Sequence, residues 1–218
     1  MKRLATCQWV PILVLLCVYV SLALIYCSLV PPLDGPDAGS HFKYAYLLHR
    51  EGHLPRLDLA TAEFSHELVQ QPPLYYLMVA TVSSERGMQQ AINHVIGSPY
   101  IAKGMAQRAT VILPGTPRSA FLALWGEGLV SLLGGLVTVV STWLWVRTLL
   151  PGRSWLAFAS ASIVGLNPQF LFLSTAITND TWLAGTAALT LFLAIRARDG
   201  TDRTLLHWLW VGLLAGLA

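Results

Sequence analysis

Charged residues are absent from four stretches of this chain: 9–30, 154–179, 181–195 and 205–218. A fifth, 119–146, is interrupted only by Glu127. A membrane-spanning helix takes roughly 17–25 mostly apolar residues. The pattern therefore predicts spans at 9–30, 119–146 and 154–173. The run 181–195 is shorter and draws on the loop before it. The run from 205 stops without a polar flank, so it reads as a fifth helix cut short, in the front part of a longer protein. The expected fold is all-α, a polytopic transmembrane helix bundle with a large first loop over 31–118.

Composition agrees with that pattern. Of 218 residues, 55% are hydrophobic and 11% charged, with eight Trp, and the mean hydropathy is +0.57. A soluble domain carries about 25% charged residues. The basic start "MKR" suits a signal peptide, but secretory apolar regions run about 7–15 residues and end in a small-residue cleavage site. The first run is longer, and "LIYCSLVPP" offers no such site, so it reads as an uncleaved anchor. Cys7, Cys17 and Cys27 fall in or beside it. Neighbours ten apart on a helix are about 15 Å apart, too far for a disulfide.

Basic residues orient the chain. Lys2 and Arg3 precede the first span, Arg147 and Arg153 separate the second from the third, and Arg196, Arg198 and Arg203 separate the fourth from the fifth. Short loops rich in Lys and Arg stay cytoplasmic, which puts the N-terminus inside and 31–118 outside. The outer loop balances Lys43, Arg50, Arg56, Arg86, Lys103, Arg108 and Arg118 against seven acidic residues. The net charge of +3 is then a topology signal, with no nucleic-acid partner implied. The apolar stretch 72–84 is too short to span and reads as an interfacial helix, with Tyr75 and Tyr76 at the membrane–water boundary.

Within the outer loop, "AGSHFKYAYLLHRE" predicts a helix entered at Asp37 and ended by Gly52, with Pro55 beyond. Phe42, Ala45, Tyr46 and Leu48 form an apolar stripe suited to lying on the bilayer, with His41, Tyr44 and His49 on a neighbouring face. Residues 56–71 read as irregular, and 85–118, with its scattered Gly and Pro, as loop with turns.

The candidate chemistry lies at the predicted outer face. Asp37 has two readings that the spacing leaves open: a helix N-cap, or a general base reaching a lipid-anchored substrate and a water-side acceptor. His41 is one helical turn on. A metal site from His41, His49, His53, His66 and Glu67 has no recognised ligand spacing. Asp180, also a candidate N-cap, emerges on the same side as Asp37, and two acids there suit a shared substrate or cation. Glu127 lies about 12 Å into its span from Ser119. An ionisable group at that depth is either functional or bonded within the bundle beside Gly126 and Gly128. No Walker loop, Rossmann glycine fingerprint, HExxH or GxSxG is present in the sequence.

The motif order resembles the polytopic GT-C glycosyltransferases that use polyprenyl-phosphate-linked sugars, the group of protein O-mannosyltransferases and aminoarabinose transferases. Their first outer loop reads P-D-E-x-x-H-x-x-Y. "PDAGSHFKY" keeps Pro36, Asp37, His41 and Tyr44, with Ala38 in place of Glu. "QQPPLYYL" matches their later P-P-L-Y-Y segment, and "NPQFLFLSTAITND" their second outer turn. The resemblance implies inverting sugar transfer from a polyprenyl-phosphate-sugar donor to a lipid, glycan or protein acceptor. It implies Asp37 as base, with His41, Tyr44, Lys43 and Asp180 at the substrate. Lys43, Arg50 and Arg56 are then candidates for the leaving phosphate. A divalent metal ion assists in related enzymes, and Ala38 weakens that expectation here.

Two rival readings stand beside this one. A multi-pass transporter or lipid flippase makes Glu127 the essential residue. A non-catalytic membrane scaffold makes neither Asp37 nor Glu127 essential.

Overall fold

A run of 20 uncharged, mostly apolar residues with a single proline in its first turn folds as helix α1, Val10–Leu29. The computed structural model describes residues 9–54, 71–97, 110–112, 114–198 and 204–217. Their regular structure is helical apart from one short antiparallel ladder, so the fold is all-α. After α1 come α2 (Ala38–Glu51), α3 (Leu74–Val82), α4 (Glu85–His94), β1 (Val95–Gly97) and β2 (Thr110–Ile112). The remaining helices are α5 (Arg118–Leu149), α6 (Ser154–Gly165), α7 (Pro168–Leu173), α8 (Asp180–Arg198) and α9 (Leu205–Leu217). Among the described residues, α1 and α5 are long and apolar enough to cross a membrane, with mean hydropathies of 2.6 and 1.9.

The chain divides into two compact units. The first takes Met1–Tyr26, Leu132–Ser174 and Asp180–Ala218, and the second Cys27–Ser131 and Thr175–Asn179. Helix α5 contributes residues to both.

In the first unit, Ile12, Leu15, Tyr19 and Ala23 recur at helical spacing along α1. They are buried with Leu132, Val139, Trp143, Ala157 and Leu171 in one core. The opposite face of α1 leaves Leu13, Val14, Val18, Leu24 and Ile25 exposed. Small residues bring α5 and α8 together: a Cβ at Gly185 would lie 2.9 Å from the Gly134 carbonyl oxygen. Thr138 Oγ1 donates to the carbonyls of Gly134 (3.0 Å) and Thr181 (3.2 Å) at that seam. Arg147 stacks 4.5 Å from the Trp143 ring and 5.5 Å from the Trp9 ring, a cation–π arrangement.

The stretch 154–173, expected as one helix, is two. Helix α6 ends at Gly165, and the Asn167 side chain accepts from the Gln169 (2.9 Å) and Phe170 (3.2 Å) amides to cap α7. Pro168 at the first turn is the cause. It supplies no amide donor and disfavours helical geometry at the residue before it.

In the second unit, α2 packs against α3 and α4, and β1 pairs with β2 in the register Val95–Ile112, Ile96–Val111 and Gly97–Thr110. Gly52 ends α2 as expected, in left-handed geometry (φ 69°), with its amide bonded to the Leu48 carbonyl at 3.0 Å. The expected surface stripe is corrected: nine of the fourteen α2 residues are buried, from both sides of the helix, because α3 and α4 cover it. Tyr75 and Tyr76, expected at a membrane boundary, lie in this core at 1% and 0% exposure. The loop reading of 85–118 is also corrected over Glu85–His94, which is helix α4. The start signal is Ser84, whose Oγ accepts from the Gly87 amide at 3.2 Å in the manner of an N-cap. The expectation for 56–71 falls, except for Gln71, outside the described residues.

Candidate functional site

Asp37 occupies the N-cap position of α2 but does not act as a cap. Its side chain makes no capping hydrogen bond, and its backbone is left-handed (φ 52°, ψ 14°). Among the described residues it is the one non-glycine with positive φ. That geometry costs about 1–2 kcal/mol for most residues, less for Asp, whose short polar side chain tolerates it. The main chain still starts the helix, because the Asp37 carbonyl accepts from the amides of Ser40 (2.8 Å) and His41 (3.0 Å). The carboxylate is thus not used for capping. Asp37 lines a cleft of about 360 Å³ at the amino end of α2, together with Gly35, Ala38, Gly39, Ser40 and Lys43. Asp37 is exposed to that cleft and Lys43 half-buried.

Three segments far apart in the chain meet in this unit. The His41 ring nitrogen Nδ1 lies 2.7 Å from the Tyr76 hydroxyl, with the rings stacked at 18°. The Tyr44 and Tyr76 ring centres are 3.9 Å apart, and Tyr75 meets Tyr76 edge-on at 5.3 Å. Asn179 Nδ2 donates to Gln71 Oε1 at 3.3 Å. A Cβ at Gly35 would lie only 2.7 Å from Ala176 Cβ, so glycine permits the approach of the Asp37 loop to the 175–179 turn. Hence "PDAGSHFKY", "QPPLYYL" and "TAITN" converge, and of these the first alone is among the described residues lining the cleft.

The expected substrate residues therefore separate. Lys43 shares the cleft with Asp37. His41 and Tyr44 are 6% and 2% exposed, packed against Tyr76, and are not among its lining residues. Burial raises the Tyr44 phenol above its ordinary pKa, so it stays neutral. Asp180 belongs to the other unit, where it is exposed and opens α8. It sits in the first helical turn, favourable for an acid at a helix dipole. Arg50 is turned to Glu51 (3.2 Å) and over the Tyr46 ring (5.5 Å) and does not line the cleft. Arg56, His66 and Glu67 lie outside the described residues.

Among the described residues no side-chain set fits a divalent metal. His49 Nδ1 is 3.0 Å from the Ala80 carbonyl oxygen and His53 Nδ1 is 3.0 Å from that of Leu54. Among the described residues, no three His, Cys, Asp or Glu side chains converge. Ala38, where the resembled motif has Glu, is fully buried in the first turn of α2. No family model, curated protein or solved structure matches this chain.

Proposed function

We propose that this chain is a multi-pass membrane glycosyltransferase of the GT-C type. It moves a sugar from a polyprenyl-phosphate donor to an acceptor hydroxyl at the outer membrane face, with the N-terminus cytoplasmic. The observation that carries the reading is Asp37: a helix-entry carboxylate that does not cap, held in left-handed geometry, beside a lysine in an open cleft. The convergence of three motif-like segments supports it, as do two helices long enough to span and the outward apolar face of α1.

In this mechanism the Asp37 carboxylate takes the acceptor hydroxyl proton. The acceptor oxygen attacks the anomeric carbon from the face opposite the phosphate, the carbon–phosphate-oxygen bond breaks, and configuration inverts. Lys43 and the amino end of α2 offset the charge developing on the leaving lipid phosphate. No step is assigned to a metal.

General-base catalysis contributes about 10²–10⁴-fold. Membranes carrying Asp37→Asn, assayed with a polyprenyl-phosphate-linked sugar, should lose transfer by that factor at unchanged protein level. Undiminished transfer would refute the role. Lys43→Ala should weaken donor binding more than it slows turnover at saturation.

A further inference from the structure

Glu127 belongs to α5 within the second unit and is fully buried, and neither of its carboxylate oxygens has a hydrogen-bond partner among the described residues. A charged carboxylate left this way is strongly unfavourable, and a protonated one would leave a buried donor unsatisfied. The surroundings are nevertheless rich in oxygen. The Tyr75 hydroxyl lies 3.4 Å from the Glu127 main-chain oxygen. Ser131 Oγ is 3.4 Å from the Tyr75 hydroxyl and donates to the Thr178 carbonyl at 3.1 Å. Opposite Gly128 the Thr175 carbonyl comes so near that an added Cβ would lie 3.0 Å from it. Ser131 lies one helical turn on from Glu127 and so shares its face of α5, and burial pushes the Tyr75 phenol beside it well above its ordinary pKa.

We propose that Glu127, Tyr75, Ser131 and the Thr178 carbonyl form a binding site for one dehydrated alkali cation of the sodium class. One carboxylate among neutral oxygens balances a single positive charge. A calcium-like ion takes 6–8 oxygen ligands, commonly with several carboxylates, and magnesium keeps its waters. Zinc and softer metals take nitrogen or sulfur, which this cluster lacks. The ion ties α3, α5 and the 175–179 turn together through Tyr75, Glu127 with Ser131, and Thr178. The inference rests on this geometry and is independent of the sugar-transfer reading.

The test is thermal unfolding of the full chain in nonionic detergent, in sodium, potassium or choline chloride at equal ionic strength. Sodium should raise the midpoint by about 3–8 °C over choline, saturably. Glu127→Gln should remove the rise while keeping the parental midpoint in choline. Ser131→Ala should shift saturation to roughly tenfold higher sodium, and it keeps the test decisive if the Gln variant does not fold. Equal midpoints for the parent chain in sodium and choline overturn the site, as does an undiminished response in either variant.

Discussion

The His41 imidazole Nδ1 lies 2.7 Å from the Tyr76 hydroxyl across 35 residues of sequence. This contact joins the first turns of α2, directly after Asp37, to α3. Both residues are buried, so the bond is shielded from water. A buried neutral hydrogen bond contributes about 0.5–1.5 kcal/mol. A double-mutant cycle with His41→Ala and Tyr76→Phe, followed by chemical unfolding, should therefore show a coupling of about 1 kcal/mol. Strict additivity would mean that the two elements are held by packing alone.

The left-handed backbone at Asp37 makes a second prediction. Glycine has no Cβ penalty there and alanine bears it in full. Asp37→Gly should thus be more stable than Asp37→Ala by about 1 kcal/mol. Both should be inactive if the carboxylate is the base. Unfolding midpoints measured beside sugar transfer separate the two effects.

Two helical glycines should respond in opposite directions to alanine. Nothing lies within 4 Å of a Cβ at Gly39, so Gly39→Ala should stabilise α2 by about 0.5–1 kcal/mol through helix propensity. At Gly87 the same Cβ would lie 2.6 Å from the Ser119 carbonyl oxygen, a backbone atom that cannot swing away. Gly87→Ala should cost about 1–3 kcal/mol. Denaturant midpoints of the two variants should fall on either side of the parent.

Alkaline pH should weaken the second unit. Burial raises the phenols of Tyr44 and Tyr75 above their ordinary 10.0 in the folded chain. As pH rises the unfolded chain releases these protons first, so the stability they contribute is complete below about 10 and declines above it. Thermal midpoints scanned upward from pH 9 should drop past that point, and Tyr44→Phe should lessen the slope. A flat profile would mean that the phenols reach solvent.

Much of this was legible in residue order. The uncharged runs located α1 and α5, Gly52 marked the end of α2, and the 72–84 stretch was placed as a short helix. The alternation that suggested a surface-lying α2 misled, because periodicity reports one apolar face and is silent on what covers the other. Gly87 concealed α4, since a glycine within a helix looks like a loop until the Ser119 carbonyl beside it is seen. The break before Pro168 was visible as a proline, yet overall apolarity outweighed it.

Helix positions and ends follow from local chemistry: apolar runs, capping residues, glycine and proline act within a few residues of themselves. The sequence by itself could therefore single out Asp37 as a helix-entry carboxylate and Glu127 as an acid in an apolar run. It could not decide whether the Asp37 side chain caps α2, because that depends on one backbone rotation (φ 52°) supported by the surrounding fold. Nor could it show that Tyr76 reaches His41, that Gln71 meets Asn179, or that both Glu127 oxygens are left without partners among the described residues. Those are relations between residues 35 or more positions apart, or a count of partners over every direction. Only tertiary packing fixes them, because burial sets which polar groups lose water and which neighbours replace it.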